Sequence, residues 1–171
     1  MIISVGEILL DEILGVSYPG GAPFNVAVSS FNAGSDVLFF GTVGNDEEGV
    51  SLLEHVKSYG LDSKNIKVDS KRKTTKAIVS LDEKGERDFR FEREDTADAY
   101  LPFISDEVLS KANILHIGSL GLCYSHTRAY FKELISRAKS LGVRISFDMN
   151  FRSDIYSSLG EALNISKEFI L

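Results

Sequence analysis

The stretch Gly20-Gly21-Ala22-Pro23-Phe24-Asn25-Val26-Ala27-Val28 is where the residue types first suggest chemistry. Two glycines let a backbone approach a ligand with no side chain between them. Pro23 suits a first helical turn, where its missing N–H would have lacked a partner anyway. The free N–H groups of that turn lie at the positive end of the helix dipole. Asn25 adds an amide that both donates and accepts. Such a surface suits hydroxyl groups better than an apolar ligand. A plain strand-to-helix turn that binds nothing accounts for the same residues, and from this stretch alone both readings stand.

A second constellation is Asp148-Met149-Asn150-Phe151-Arg152, which presents a carboxylate, an amide and a guanidinium at a strand end. Arg152 is fit to hold phosphate oxygens, or to close a structural salt bridge. Asp11, nine positions before Gly20, is either a solvated loop carboxylate or one that meets the glycines at the end of the first strand. His116, Cys123 and His126 do not have metal-ligand spacing, because a strand and a loop separate them and no fourth donor follows. No metal site is therefore expected. Gly41-Thr42-Val43-Gly44 lacks the third glycine and the later acidic residue of a dinucleotide fingerprint. Neither a Walker loop nor a Ser-His-acid arrangement stands out.

The elements that must position these groups follow from periodicity. Ile2 to Val5 reads as a buried strand ending at Gly6-Glu7, and the helix from Pro23, apolar nearly all round and so expected to be buried, stops at Gly34. Asp36 to Val43 is a second strand, and a helix with Val50, Leu52, Leu53 and Val56 on its stripe follows Gly44-Asn45-Asp46 and ends at Gly60. Lys73 to Leu81 and Arg87 to Arg93 alternate around Asp82-Glu83-Lys84-Gly85 and predict a hairpin, either a flap over a pocket or an edge ribbon. Ser105 caps a helix start. Asn113 to Gly118 and Val143 to Met149 are strands, separated by a helix over Ser125 to Leu141 striped with Tyr130, Leu134, Ala138 and Leu141. The tail Ile165 to Leu171 is expected in or just before another sheet element. This alternation predicts an α/β fold with a mostly parallel sheet. Ligands in such sheets sit beyond the carboxyl ends of the strands, the face to which Gly20, Gly44, Gly118-Ser119 and Asn150 all point.

The 171 residues suffice for one domain or for part of a larger one. Lys plus Arg 19 against Asp plus Glu 25 gives a net charge of −6 with no basic stripe. That argues against a nucleic-acid or anionic-membrane partner. One cysteine excludes an internal disulfide framework and fits a reducing, cytoplasmic compartment. In that compartment the Asn164-Ile165-Ser166 glycosylation pattern carries no meaning. Acidic residues interrupt the apolar N-terminal run, which is read as neither a signal nor a membrane span.

GEILLD, GGAPFNVAV, GTVGNDEEG, the ERDFRFER hairpin followed by Ala97-Asp98, and FDMNFR occur in the order seen in the PfkB (ribokinase-like) sugar kinases. The chain resembles fructokinases most and 2-keto-3-deoxygluconate kinases next. The resemblance implies a three-layer ribokinase-like, Rossmann-like α/β domain with a small β-sheet lid, formed by segments about 8–19 and 73–93. It also implies ATP-dependent, Mg²⁺-assisted phosphorylation of a sugar hydroxyl. Carried onto this sequence, Asp11, Gly20, Gly21 and Asn25 would hold sugar hydroxyls, Arg93 and Asp98 would close on the substrate, and Asn150 and Arg152 would lie toward the phosphate. The Ala-Pro before Asn25 and the Arg93, Ala97-Asp98 pattern set the chain apart from nucleoside kinases of the same superfamily.

The family's second signature, a D-T-x-G-A-G-D segment whose last Asp is the catalytic base and whose backbone forms the anion hole, does not occur in these residues. The chain is therefore read as residues 1–171 of one domain cut on its C-terminal side. It would supply the sugar-holding half of a longer enzyme and have no kinase activity by itself. A non-catalytic sugar-binding or partner-binding module is the alternative. A homodimer through the lid, on the Phe89 and Phe91 face, is also expected.

Overall fold

The computed structural model describes residues 1–13, 15–81 and 87–170. The chain enters as β1 (Ile2–Val5), turns out through β2 (Leu9–Ile13) and returns as β3 (Val16–Gly20). Then come α1 (Ala22–Asn32), β4 (Val37–Gly44), α2 (Glu47–Ser58) and β5 (Ile66–Asp69). β6 (Lys76–Leu81) and β7 (Arg87–Glu92) follow, then α3 (Asp106–Leu109), β8 (Ile114–Gly118), α4 (Ser125–Ser140), β9 (Arg144–Asp148) and α5 (Leu159–Ile170).

Five strands form one sheet in the order β5-β4-β1-β8-β9, every pairing parallel. Alternation sorts its side chains onto two faces. Ile3, Val5, Leu115 and Ile117 pack with Leu109, Phe131, Leu134 and Phe169, which brings α3, α4 and α5 onto one face. Val37, Phe39 and Val43 pack with Phe24, Ala27, Leu52 and Val56, which brings α1 and α2 onto the other. Three layers result, because a parallel sheet must be covered on both faces. Each fully buried Leu or Phe among them contributes about 1.5–3 kcal/mol.

The remaining strands make a separate sheet in the order β3-β2-β6-β7. β2 pairs antiparallel with β3 and parallel with β6, and β6 pairs antiparallel with β7. The alternating segment therefore stands outside the parallel sheet as a lid, and Leu9 and Ala77 on one of its faces pack with Leu120. The expected turn Asp82-Glu83-Lys84-Gly85 lies outside the described residues. Asp46 couples the two sheets: it caps α2 by accepting from Gly49 N at 2.9 Å and also accepts from Thr74 N at 2.7 Å, just before β6.

Three expectations are corrected. Residues 165–170 form the end of α5, which overturns the first of the two expected places, within a sheet element. Ala162, Ser166 and Phe169 are its buried positions, spaced by three or four, and that spacing is a helix face. α1 is not buried all round: Phe24 and Ala27 face the sheet, whereas Phe31 is 38 % exposed. On the two amphipathic helices Val50 and Leu141 are exposed; on α4 Thr127, Phe131 and Ile135 are buried in the company of Leu134 and Ala138.

Candidate functional site

The five parallel strands end on one edge, and β1 runs directly into Gly6-Glu7 there. Ser4 Oγ donates to the Pro23 carbonyl at 2.7 Å, which seats the start of α1 on β1. Gly6 and Gly118 keep the space that the Pro23 ring fills; a Cβ on Gly118 would stand 2.9 Å from Pro23 Cγ. Gly21 turns into the helix at φ +110°, in the region L side chains avoid, and a Cβ there would run into the Glu7 carbonyl. The double glycine is thus demanded by the geometry.

Between this turn, the lid and the end of β9 lies a pocket of ≈ 130 Å³. Its polar wall is Glu7, Asp11, Asn25, Asn150 and Arg152 together with the Gly21-Ala22 backbone; Leu9, Phe91 and Leu120 are its apolar wall. The members come from several elements: Leu9 and Asp11 from β2, Asn25 from α1, Phe91 from β7, and Asn150 and Arg152 from the segment after β9. Asp11 projects from β2 and Gly20 lies beside it on β3, where a Cβ would collide with Asp11 Oδ2. Asp11 and the glycines therefore meet across the lid hairpin, not at the end of the first strand. Asn150 is set by Ser119, whose Oγ accepts from Asn150 N at 2.8 Å, while Ser119 N donates to the Asp148 carbonyl at 3.0 Å. Phe91 reaches down from β7 onto Leu9 and Leu120.

The electrostatics set two carboxyl groups apart. Burial raises the pKa of Asp11 from its ordinary value, and the charge of Arg152 works against that rise. Glu7 is 3 % exposed, and its Oε1 accepts from Ala22 N at 3.1 Å. Burial pushes its pKa up to about 7, opposed chiefly by the Arg93 guanidinium.

Arg93 and Asp98 lie behind this wall and do not line the pocket. Arg93 Nε donates to Asp98 Oδ2 at 2.8 Å and its Nη1 to the Leu120 carbonyl at 2.8 Å. Asp98 Oδ1 accepts from Thr96 at 2.8 Å and also from Thr75. The Asp98 side chain is 0 % exposed, so both its oxygens are occupied inside the protein. Burial opposes the Arg93 charge, yet the Asp98 carboxylate holds the guanidinium above its usual range. Tyr124 Oη donates to the Arg93 carbonyl, which ties the same point to the start of α4.

Gly44 is not brought to the pocket; it packs against residues 72–74 and Asp46. His116 shares a hydrogen bond with Ser146 at 3.0 Å, and His126 stacks between Tyr100 and Tyr124, so the two histidines sit in different surroundings. Among the described residues no three His, Cys, Asp or Glu side chains gather as metal ligands. They offer Mg²⁺ no cluster, whereas Arg152 and Asn150 suit phosphate oxygens. A larger groove of ≈ 560 Å³ opens on the other side of β7, lined by Lys76, Glu48 and Arg72. Within it Lys76 is paired with Glu48, Arg72 with Asp69 and Asp95, and Arg90 with Glu92. The smaller pocket combines open polar groups with a strand-end position and is the better site.

Glu7, Leu9, Ala22, Phe91 and Leu120 are the pocket residues that periodicity and motif spacing did not single out as site residues. A charged residue directly after a β-strand of a parallel sheet was the available signal for Glu7.

The sequence profile of the pfkB family carbohydrate kinases matches residues 14–167. Probable fructokinase-5 of Arabidopsis thaliana is 34% identical, over 95% of this chain and 55% of its own length. Fructokinase-1 of Zea mays is 33% identical over 95% of this chain and 54% of its own. The chain thus spans about half the length of the curated relatives it matches. Among solved structures, a fructokinase from Xylella fastidiosa superposes with a TM-score of 0.84 at 32% identity, covering 96% of this chain and 57% of that one. An uncharacterized sugar kinase from Pyrococcus horikoshii in complex with ATP gives 0.87 at 29% identity, covering 99% and 60%. No described helix is long and apolar enough to cross a membrane.

Proposed function

The chain belongs to the pfkB family of carbohydrate kinases, and from that premise we propose that it forms the sugar-holding side of a fructokinase-like enzyme that phosphorylates a sugar hydroxyl with ATP. The observation that carries this reading is the composition of the ≈ 130 Å³ pocket: one carboxylate from the lid and two carboxamides, beside the Gly21-Ala22 turn. Each of these groups hydrogen-bonds hydroxyls, and they converge from three places in the fold: β2, α1 and the segment after β9. Arg152 and Asn150 stand on the side where the phosphoryl donor would approach, and ATP is the donor this reading implies. Arg93 and Asp98 brace the wall from behind, joining the lid strand to Leu120.

Phosphoryl transfer also needs a base for the hydroxyl and an electrostatic cradle for the phosphoryl group. No glycine-rich segment of that kind occurs in these residues, so they bind sugar but do not turn over ATP by themselves. Calorimetric titration with D-fructose tests the first half of this reading, and a coupled ADP-release assay tests the second. Heat of binding without ADP release is the expected pair. Absence of binding by both fructose and 2-keto-3-deoxygluconate overturns the sugar assignment; tighter binding of the keto acid reassigns the substrate within the family.

A further inference from the structure

Glu7 is the one charged group on the pocket wall that the proposed function leaves without a task. It follows β1 at the edge where the parallel strands end, and its carboxyl group lines the pocket alongside Asp11 and Asn150. Oε1 is fixed to the start of α1 by the Ala22 N–H at 3.1 Å. The other oxygen lies near Gly118, at the end of β8: a Cβ there would stand 3.6 Å from Oε2. A buried carboxyl group that lines a pocket beside Asp11, Asn25 and Asn150 is placed to read a ligand.

We propose that Glu7 contacts the substrate directly, its carboxylate accepting a hydrogen bond from a sugar hydroxyl at the floor of the pocket, and that sugar binding expels a proton from it. The inference rests on the sugar-kinase reading above. The groups that act on Glu7 are Arg93 and Asp98 behind the wall and Tyr156 beside Ser119; Asp11 and Arg152 share the pocket with it. Arg93 favours the carboxylate, whereas burial and Asp98 favour the acid, and the balance places the group at about 7. In the empty pocket near neutral pH, Glu7 is thus a mixture of acid and carboxylate. A hydroxyl bound to a carboxylate makes a charge-assisted bond, roughly twice as strong as a neutral one. Sugar therefore selects the ionised form. The O–H of the acid breaks, its proton leaves to buffer, and the sugar hydroxyl donates in its place with no other bond changed.

The test is calorimetric titration of the protein with D-fructose at pH 6, 7 and 8, in two buffers of different ionisation enthalpy. Affinity rises by up to about tenfold from pH 6 to pH 8, the ratio of ionised fractions for a group near 7. At pH 7 the observed enthalpy differs between buffers by the proton released. Glu7→Gln binds fructose more weakly at pH 8 and loses both dependences. Asp11→Asn binds more weakly yet keeps the buffer dependence at pH 7, which assigns the proton to Glu7. Wild-type binding with no proton release at pH 7 overturns the inference and needs no variant to fold. So does a Glu7→Gln protein that retains the pH dependence. In both cases fructose binding still stands and the sugar reading survives; if no sugar binds at all, the reading and the inference fall together.

Discussion

Asn25 shows what a single side chain contributes to the pocket. It stands in the first turn of α1, its own N–H bonded to the Gly21 carbonyl at 2.9 Å, and its amide is exposed toward the pocket. An amide placed so can trade water for a sugar hydroxyl with little rearrangement. Losing a hydrogen bond between uncharged groups costs about 0.5–1.5 kcal/mol, and losing one to a charged group about 1.5–3. Asn25→Ala is therefore expected to weaken fructose binding by several-fold and Asp11→Ala by up to about a hundredfold. Calorimetry on both variants checks this, and unchanged affinity in the pair would remove these residues from the site. Gly21→Ala is a harsher change. It places a Cβ at φ +110° against the Glu7 carbonyl, and strained backbone of that kind costs about 1–3 kcal/mol. Its urea midpoint should fall accordingly, whereas Gly15→Ala, also at positive φ but with nothing near its Cβ, should fall less. The glycine pair, Asp11, Asn25, Asn150 and Arg152 were visible in the sequence because their types and strand-end positions fit one chemistry. Glu7 was not, because burial gives a glutamate its meaning here and burial depends on residues far along the chain.

At the scale of elements, the lid is joined to the main sheet through the Arg93–Asp98 pair. Arg93 directly follows β7, and its guanidinium is bonded to Asp98 and to the carbonyl of Leu120, beyond the end of β8. Removing one partner of a buried, hydrogen-bonded pair leaves a charge with no compensation, at about 3–5 kcal/mol. Asp98→Ala should lower unfolding stability by that amount in urea titrations at pH 7. Loss of less than about 1 kcal/mol, the scale of an exposed pair, would show that the pair is not the joint. The hairpin itself was legible because polar and apolar residues alternate over Arg87–Glu92, unlike the continuous apolar runs of the parallel strands. Two short elements were not legible. β5 shows burial only at its two ends, Ile66 and Asp69, so it has no alternation to read. In α5 the run Phe169-Ile170 resembles a strand locally, and only the spacing from Ala162 through Ser166 to Phe169 marks the helix. Of the face expected to pair copies, Phe91 is packed inward on Leu9 and Leu120, and the Phe89 side chain lies outside the described residues. Among the described residues Val16 and Tyr18 are the exposed large apolar ones of the lid.

For the whole molecule, the buried Glu7 makes stability depend on pH in a direction opposite to that of the carboxylates held below their usual range. Asp46 and Asp69 are held below the usual range, the first by Thr74 and Gly49 against its burial, the second first by the Lys71 N–H. Such groups stabilise the fold above their unfolded values and lose that contribution as pH falls. Glu7 is raised from 4.5 to about 7, so the folded state binds its proton more tightly than the unfolded chain does. Its contribution is fully present below pH 4.5 and is lost as pH rises through about 7. A displacement of that size corresponds to about 3 kcal/mol. The wild-type curve alone mixes this with the opposing carboxylates, so the informative quantity is the difference between wild type and Glu7→Gln. Glutamine keeps an acceptor for the Ala22 N–H and cannot ionise. In urea unfolding the variant should gain on the wild type by about 3 kcal/mol between pH 4.5 and pH 8. A difference that does not change with pH would mean that water reaches Glu7 and that its carboxyl group titrates as an ordinary surface acid. The wild type should recover most of the gap at pH 8 when saturated with fructose, because a ligand that binds only the folded protein stabilises it by RT ln(1 + [L]/Kd). Recovery in the wild type that clearly exceeds recovery in the variant would tie the stability of the fold to the same carboxylate that holds the sugar.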